Sequence, residues 1–140
     1  MLTWPSCKRI KLYNLILASM QPPIYTCMII DDDPGCHQDR EFHLSPMPDL
    51  TLLANCYPPV DGIEKSRSLK PDIVFLDYNM PYMTGLQMLA ALHEADIKVG
   101  LITADNRYTM DLSDPQIKAS AFKPLSPRNF ITLVRKILIS

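Results

Sequence analysis

The chain has 140 residues, a length that suits one domain of ordinary size. Its 47% hydrophobic content supports a packed core, and a net charge of −1 excludes a global electrostatic pull toward nucleic acid. No apolar run approaches the ~20 residues of a membrane span, so no membrane partner is expected.

Four cysteines, Cys7, Cys27, Cys36 and Cys56, form no CxxC pair and have no His at zinc-finger spacing. They read as reduced thiols of a cytoplasmic protein, some of them in the core. The prolines cluster in pairs or at element edges (Pro22-Pro23, Pro58-Pro59, Pro46 with Pro48) and act as punctuation. Lys8, Arg9 and Lys11 precede the apolar Leu12 to Ala18, a loose imitation of a secretory signal, interrupted by Asn14. Residues 1–23 are expected to be an N-terminal extension, an added helix or a start codon called too early. The domain proper is expected over 24–140.

In chain order, Ile24 to Ile30 is a near-continuous apolar, β-branched run that ends in three aspartates. That is the pattern of a parallel strand buried on both faces. A helix is predicted from Pro34 toward Leu44, after an aspartate cap. Leu50 to Ala54 is the second strand, Pro59 to Leu69 a short helix, and Ile73 to Leu76 the third strand. Thr84 caps a helix to about Glu94, with Leu86, Leu89 and Leu92 on its core face and Ala90 beside them. Val99 to Ile102 is the fourth strand and Thr103 its end. Asp105 to Ile117 allows at most a short helix. Ala119 to Phe122 is the fifth strand, ending at Lys123. In the last helix Ser126 is the cap and Pro127 the first residue. Phe130, Leu133, Val134, Ile137 and Leu138 follow its apolar stripe. His37, His43 and His93 read as surface residues.

Strands alternating with helices five times predict an α/β fold: a doubly wound, five-stranded parallel sheet with helices on both faces. In the order 2-1-3-4-5, the first and third strands are neighbours at the switch point, where ligands bind at the strands' carboxyl ends. Asp31, Asp32 and Asp33 would converge there with Asp77. A divalent cation relieves the repulsion of such acids, and oxygen donors favour Mg²⁺ or Mn²⁺ over Zn²⁺. Thr103 offers a hydroxyl and Lys123 an ammonium for phosphoryl oxygens. Metal, carboxylate nucleophile, cationic clamp and hydroxyl donor together make phosphoryl-transfer chemistry.

Four motifs in order, Ile29-Ile30-Asp31-Asp32-Asp33-Pro34, Asp77-x-x-Met80-Pro81-x-Met83-x-Gly85, Ile102-Thr103-Ala104 and Lys123-Pro124, carry a resemblance to the receiver domain of bacterial two-component response regulators. The likeness runs from about Ile24 to Leu138. It implies a flavodoxin-like fold with Asp77 as phosphoacceptor. It implies Asp31 and Asp32 as the acid pair, Asp32 a direct Mg²⁺ ligand, and the Asn79 carbonyl completing the protein's metal ligands. Thr103 would bond the phosphoryl group and Lys123 would pair with it, with Lys123-Pro124 cis. Asn79 and Asp105 would tune autodephosphorylation. The implied partners are a histidine kinase or histidine phosphotransfer protein and a downstream protein target, with a homodimer left open. The target would be met at the face of the fourth helix, fifth strand and fifth helix. No helix-turn-helix or basic stripe supports direct DNA binding, and the chain is expected to act as a stand-alone receiver.

The sequence departs from the family where many receivers carry Tyr or Phe, three residues before the lysine: Ser120 stands there. The segment from Thr103 to Lys123 is similar in length to receivers of the LytTR class. Two alternatives stay open. Asp31-x-Asp33, Thr103 and Lys123 follow the motif order of haloacid-dehalogenase-like phosphohydrolases, but no acid follows Lys123. A pseudo-receiver acting only as an interaction module is the other.

Overall fold

The computed structural model describes residues 6–20, 24–33, 35, 43–44, 47–56, 59–78, 80, 85–93, 96–104 and 112–140. Its strands are β1 (Tyr25–Ile30), β2 (Leu50–Cys56), β3 (Ile73–Asp77), β4 (Lys98–Thr103) and β5 (Ile117–Phe122). Its helices are α1 (Ser6–Met20), α2 (Pro59–Leu69), α3 (Gly85–Leu92) and α4 (Pro127–Ile139). All five strands are parallel, in the order β2-β1-β3-β4-β5. This is the sheet expected from the alternation of apolar runs and helical patterns.

Successive strand residues point to opposite faces, so the apolar runs supply two cores. Met28, Ile30, Val74, Leu76, Val99 and Leu101 form one core with Met88, Leu89 and Leu92 of α3 and Ile63 of α2. Cys27, Ile29, Ile73, Phe75 and Ile102 form the other with Leu44 and with Phe130, Leu133, Val134 and Ile137 of α4. The second core needs a residue without a side chain at Gly100. A Cβ there would lie 2.6 Å from Ile137 Cδ1 and 3.2 Å from Phe75 Cδ1. Glycine lets α4 lie close on the sheet.

Helix α4 is fixed at both ends. The Ser126 hydroxyl accepts from the Asn129 amide at 3.1 Å, and Pro127 follows as the first helical residue. At the other end Lys98 Nζ donates to the carbonyl of Ser140 at 2.9 Å and of Leu138 at 3.4 Å. A cation is favourable at those unpaired carbonyls.

The structure corrects several details. His43 is buried, 8% exposed, with its ring centroid 5.6 Å from that of Phe130. An imidazole has enough apolar surface to share a core with an aromatic ring. On α3 the buried face is Met88, Leu89 and Leu92, while Ala90 is exposed. The i, i+1, i+4 set starting at Met88 turns Ala90 away. Helix α3 ends at Leu92, two residues short of Glu94, and β5 starts at Ile117 because Ile117 pairs with Val99. The cap at Thr84, the side chain of Leu86 and residues 105–111 lie outside the described residues. The helix expected from Pro34 also lies largely outside them; Gly35, His43 and Leu44 are helical. Within residues 1–23, helix α1 leaves Ile10, Tyr13, Leu15 and Met20 exposed. No helix among the described residues is long and apolar enough to cross a membrane.

Cys27 and Cys56 are free and buried, as expected of core thiols. Burial pushes the Cys27 thiol up to about 12 from an ordinary 9.0. It also raises Cys56, with Lys65 opposing the shift and Asp61 adding to it. Neither thiol should react with iodoacetamide until the protein is unfolded, as read by peptide mapping. The sign of the pH effect follows. The folded state keeps the Cys27 proton where the unfolded chain releases it, so this contribution is complete below about pH 9 and is lost as pH rises toward 12. Urea midpoints should therefore fall above pH 9, and Cys27→Ala should flatten part of that slope.

Candidate functional site

The carboxyl ends of β1, β3, β4 and β5 bring one polar cluster together. Asp31 directly follows β1 and is fully buried; Asp77 is the last residue of β3 and 5% exposed. Thr103 closes β4, also fully buried, and Lys123 directly follows β5. Backbone bonds hold these ends in register. The Asp31 amide donates to the Cys56 carbonyl at 3.1 Å, Tyr78 to Ile102 at 2.8 Å, and Lys123 to Thr103 at 2.7 Å. The Lys123-Pro124 peptide is cis.

Lys123 Nζ lies 2.9 Å from Asp31 Oδ2 and 3.5 Å from Asp77 Oδ2. One ammonium, 16% exposed, thus faces two buried carboxylates. Such charges are tolerated at this depth only because they are paired. Asp31 Oδ1 accepts the Asp33 amide at 3.0 Å, so each oxygen of Asp31 already holds one donor. Asp33 in turn accepts the Gly35 amide at 2.9 Å, which gives it the capping role.

Asp31, Asp32 and Asp77 each offer an oxygen, all within 4.8 Å of one another, with Asp32 exposed. Oxygens around a Mg²⁺ ion at ~2.1 Å lie about 3–4 Å apart, so a small closure accommodates the ion. The donor set is wholly oxygen, which fits Mg²⁺ or Mn²⁺. Of the predicted residues, Asp31, Asp32, Asp77 and Lys123 come together, and Thr103 sits one residue beyond Ile102, the partner of Asp77 in register. Asn79 lies outside the described residues. The Asp33 amide escaped sequence reasoning as the donor that orients Asp31; the Asp-x-Asp spacing, which permits an Asx turn, was its only signal.

The response regulator receiver domain matches residues 27–135, and the chain belongs to that family, the receivers of two-component systems. An uncharacterized response regulatory protein of Vibrio vulnificus is 27% identical over 113 residues, covering 80% of this chain and 47% of that one. The transcriptional regulatory protein BtsR of Escherichia coli is 28% identical over 99 residues, 70% of this chain and 41% of that one. The chain therefore spans about half the length of these relatives. The response regulator domain of Thermotoga maritima CheB superposes with a TM-score of 0.72 at 15% identity, covering 84% of this chain and 98% of that one. Membership in the receiver family sets the haloacid-dehalogenase alternative aside.

Proposed function

We propose that Asp77 accepts a phosphoryl group from a phosphohistidine of a partner kinase or phosphotransfer protein, in a Mg²⁺-dependent step that switches a partner-binding face. The observation that carries this reading is Lys123 Nζ between Asp31 and Asp77, with an Asp32 oxygen in the same cluster.

An Asp77 carboxylate oxygen attacks the phosphorus in line. The P–N bond to the donor imidazole breaks, the nitrogen keeps the electron pair, and an acyl phosphate forms. Held by Asp31, Asp32, Asp77 and the Asn79 carbonyl, Mg²⁺ would supply charge neutralisation for the phosphoryl oxygens. The Lys123 ammonium turns from Asp77 to a phosphoryl oxygen, and the Thr103 hydroxyl donates to another. Water attack on phosphorus regenerates the carboxylate. The added charge draws Thr103 and Lys123 inward, and both sit at ends of strands beneath the β5–α4 face. The E. coli relative's name, a transcriptional regulatory protein, points to transcription as the output of proteins of that length.

Metal dependence tests the reading. Phosphoryl incorporation from acetyl phosphate should require Mg²⁺, stop with EDTA, and fall about tenfold or more in Asp32→Asn, a loss that excess Mg²⁺ partly restores. Incorporation that proceeds equally in EDTA would refute the metal-assisted step.

A further inference from the structure

Every described side chain of α1 is exposed. The helix carries seven of the thirteen large apolar side chains that stand exposed among the described residues. Apolar surface gathered in this way on one element marks an interaction site. At about 3.6 residues per turn, Ile10, Tyr13, Leu17 and Met20 recur at i, i+3, i+7 and i+10 and share one face, with Ile16 at its edge. Lys11 and Leu15 fall on the opposite side, and Leu12 on a flank. Charge gathers on the same helix. Lys8, Arg9 and Lys11 lie in its first half, and residues 1–30 contain no acid. The rest of the chain holds eleven basic against fifteen acidic residues, so the positive segment and the net negative domain are separate in sequence.

We propose that α1 lies in the surface of an anionic lipid bilayer, with the face of Ile10, Tyr13, Leu17 and Met20 against the acyl chains and the basic residues among the headgroup phosphates. At 15 residues the helix is about 22 Å long, too short for ~30 Å of hydrocarbon. A helix that lies in the interface crosses nothing, so the lack of a span does not count against it. Charge selects the occupant. A stripe of four residues covers about two heptads, fewer than the three or four a coiled coil needs. A second copy's α1 would also offer no acid to pair with Lys8, Arg9 and Lys11. Lipid phosphates offer that negative charge, and each basic residue beside an anionic leaflet adds about fivefold to the partition. The chain enters β1 at Tyr25, on the N-terminal edge of the parallel sheet, while Asp31 and Asp77 lie at the opposite edge. Binding through α1 therefore leaves the acidic cluster open to solvent, and it does not depend on phosphoryl transfer at Asp77.

Co-sedimentation of the full chain with vesicles tests this, using equimolar phosphatidylglycerol and phosphatidylcholine beside phosphatidylcholine alone. The protein should pellet with the anionic vesicles, less as salt rises, and stay largely in solution with the neutral ones. Trp4 is the single tryptophan of the chain, and its emission should move to the blue on binding. Arg9→Glu with Lys11→Glu should weaken binding at least twentyfold. Leu17→Gln should weaken it about tenfold, whereas Leu15→Gln, on the opposite side, should change it less than twofold. All four positions are exposed, so circular dichroism and thermal melts should match the wild type. Failure to pellet with anionic vesicles, equal binding by the double charge reversal, or equal losses from Leu17→Gln and Leu15→Gln would overturn the proposal. A vesicle-free dimer that Leu17→Gln converts to monomer, with no pelleting by the wild type, would assign the face to a second copy instead.

Discussion

A Lys123→Met variant is expected to lose about 3 kcal/mol of stability without divalent metal, and about 100-fold in the rate of phosphoryl incorporation with it. The substitution keeps most of the stem and removes only the charge. What it leaves behind is Asp31, fully buried, and Asp77, 5% exposed, with oxygens within 4.8 Å and no shared cation. Removing one partner of a buried ion pair is costly chiefly because the other charge stays buried. Adding Mg²⁺ should recover much of the stability, since two positive charges enter beside the same carboxylates. It should not recover the rate, because the ammonium that meets the phosphoryl oxygen is still missing. Urea denaturation with and without Mg²⁺ separates the two effects. Equal midpoints for Lys123→Met and wild type in EDTA would show that the 2.9 Å and 3.5 Å contacts carry no weight.

The largest loss of stability is expected from Phe130→Ala, about 3–5 kcal/mol, or roughly 10–20 °C in Tm. Phe130 is fully buried, and its ring lies 5.1 Å from that of Phe75 and 5.6 Å from that of His43. The close seat of α4 over Gly100 leaves little slack for collapse into the cavity. Phe122→Ala, at a half-exposed ring on the edge strand, should cost under about 1 kcal/mol. The same chemical change at two phenylalanines thus measures burial alone. Thermal melts that place both variants together would contradict this account of the second core. Below its melting point Phe130→Ala should still take up a phosphoryl group, since the ring belongs to the apolar core with Phe75 and Leu133.

The strands were legible because burial on both faces leaves a plain mark: Cys27-Met28-Ile29-Ile30 and Ile73-Val74-Phe75-Leu76 are uninterrupted apolar runs. The site was legible because strand ends fix its members, and Asp77 and Thr103 are strand termini while Asp31 and Lys123 are the next residues. The cap of α4 was equally plain, as Ser-Pro is a local signal. What escaped depends on contacts distant in sequence. His43 is buried because α4 brings Phe130 to it, which no local pattern around His43 encodes. Met88 rather than Ala90 faces the core through the phase of one short helix, and eight residues are too few to fix a phase from leucines alone. The second donor to Asp31 is a backbone amide, which has no sequence signature of its own.

The most direct test of the central claim is intact-protein mass after incubation with acetyl phosphate and Mg²⁺, beside an Asp77→Asn control. A single phosphoryl adduct on the wild type, absent with EDTA and absent in Asp77→Asn, is the predicted result. An adduct that persists in Asp77→Asn, or a folded, Mg²⁺-supplied wild type that forms none, would contradict it.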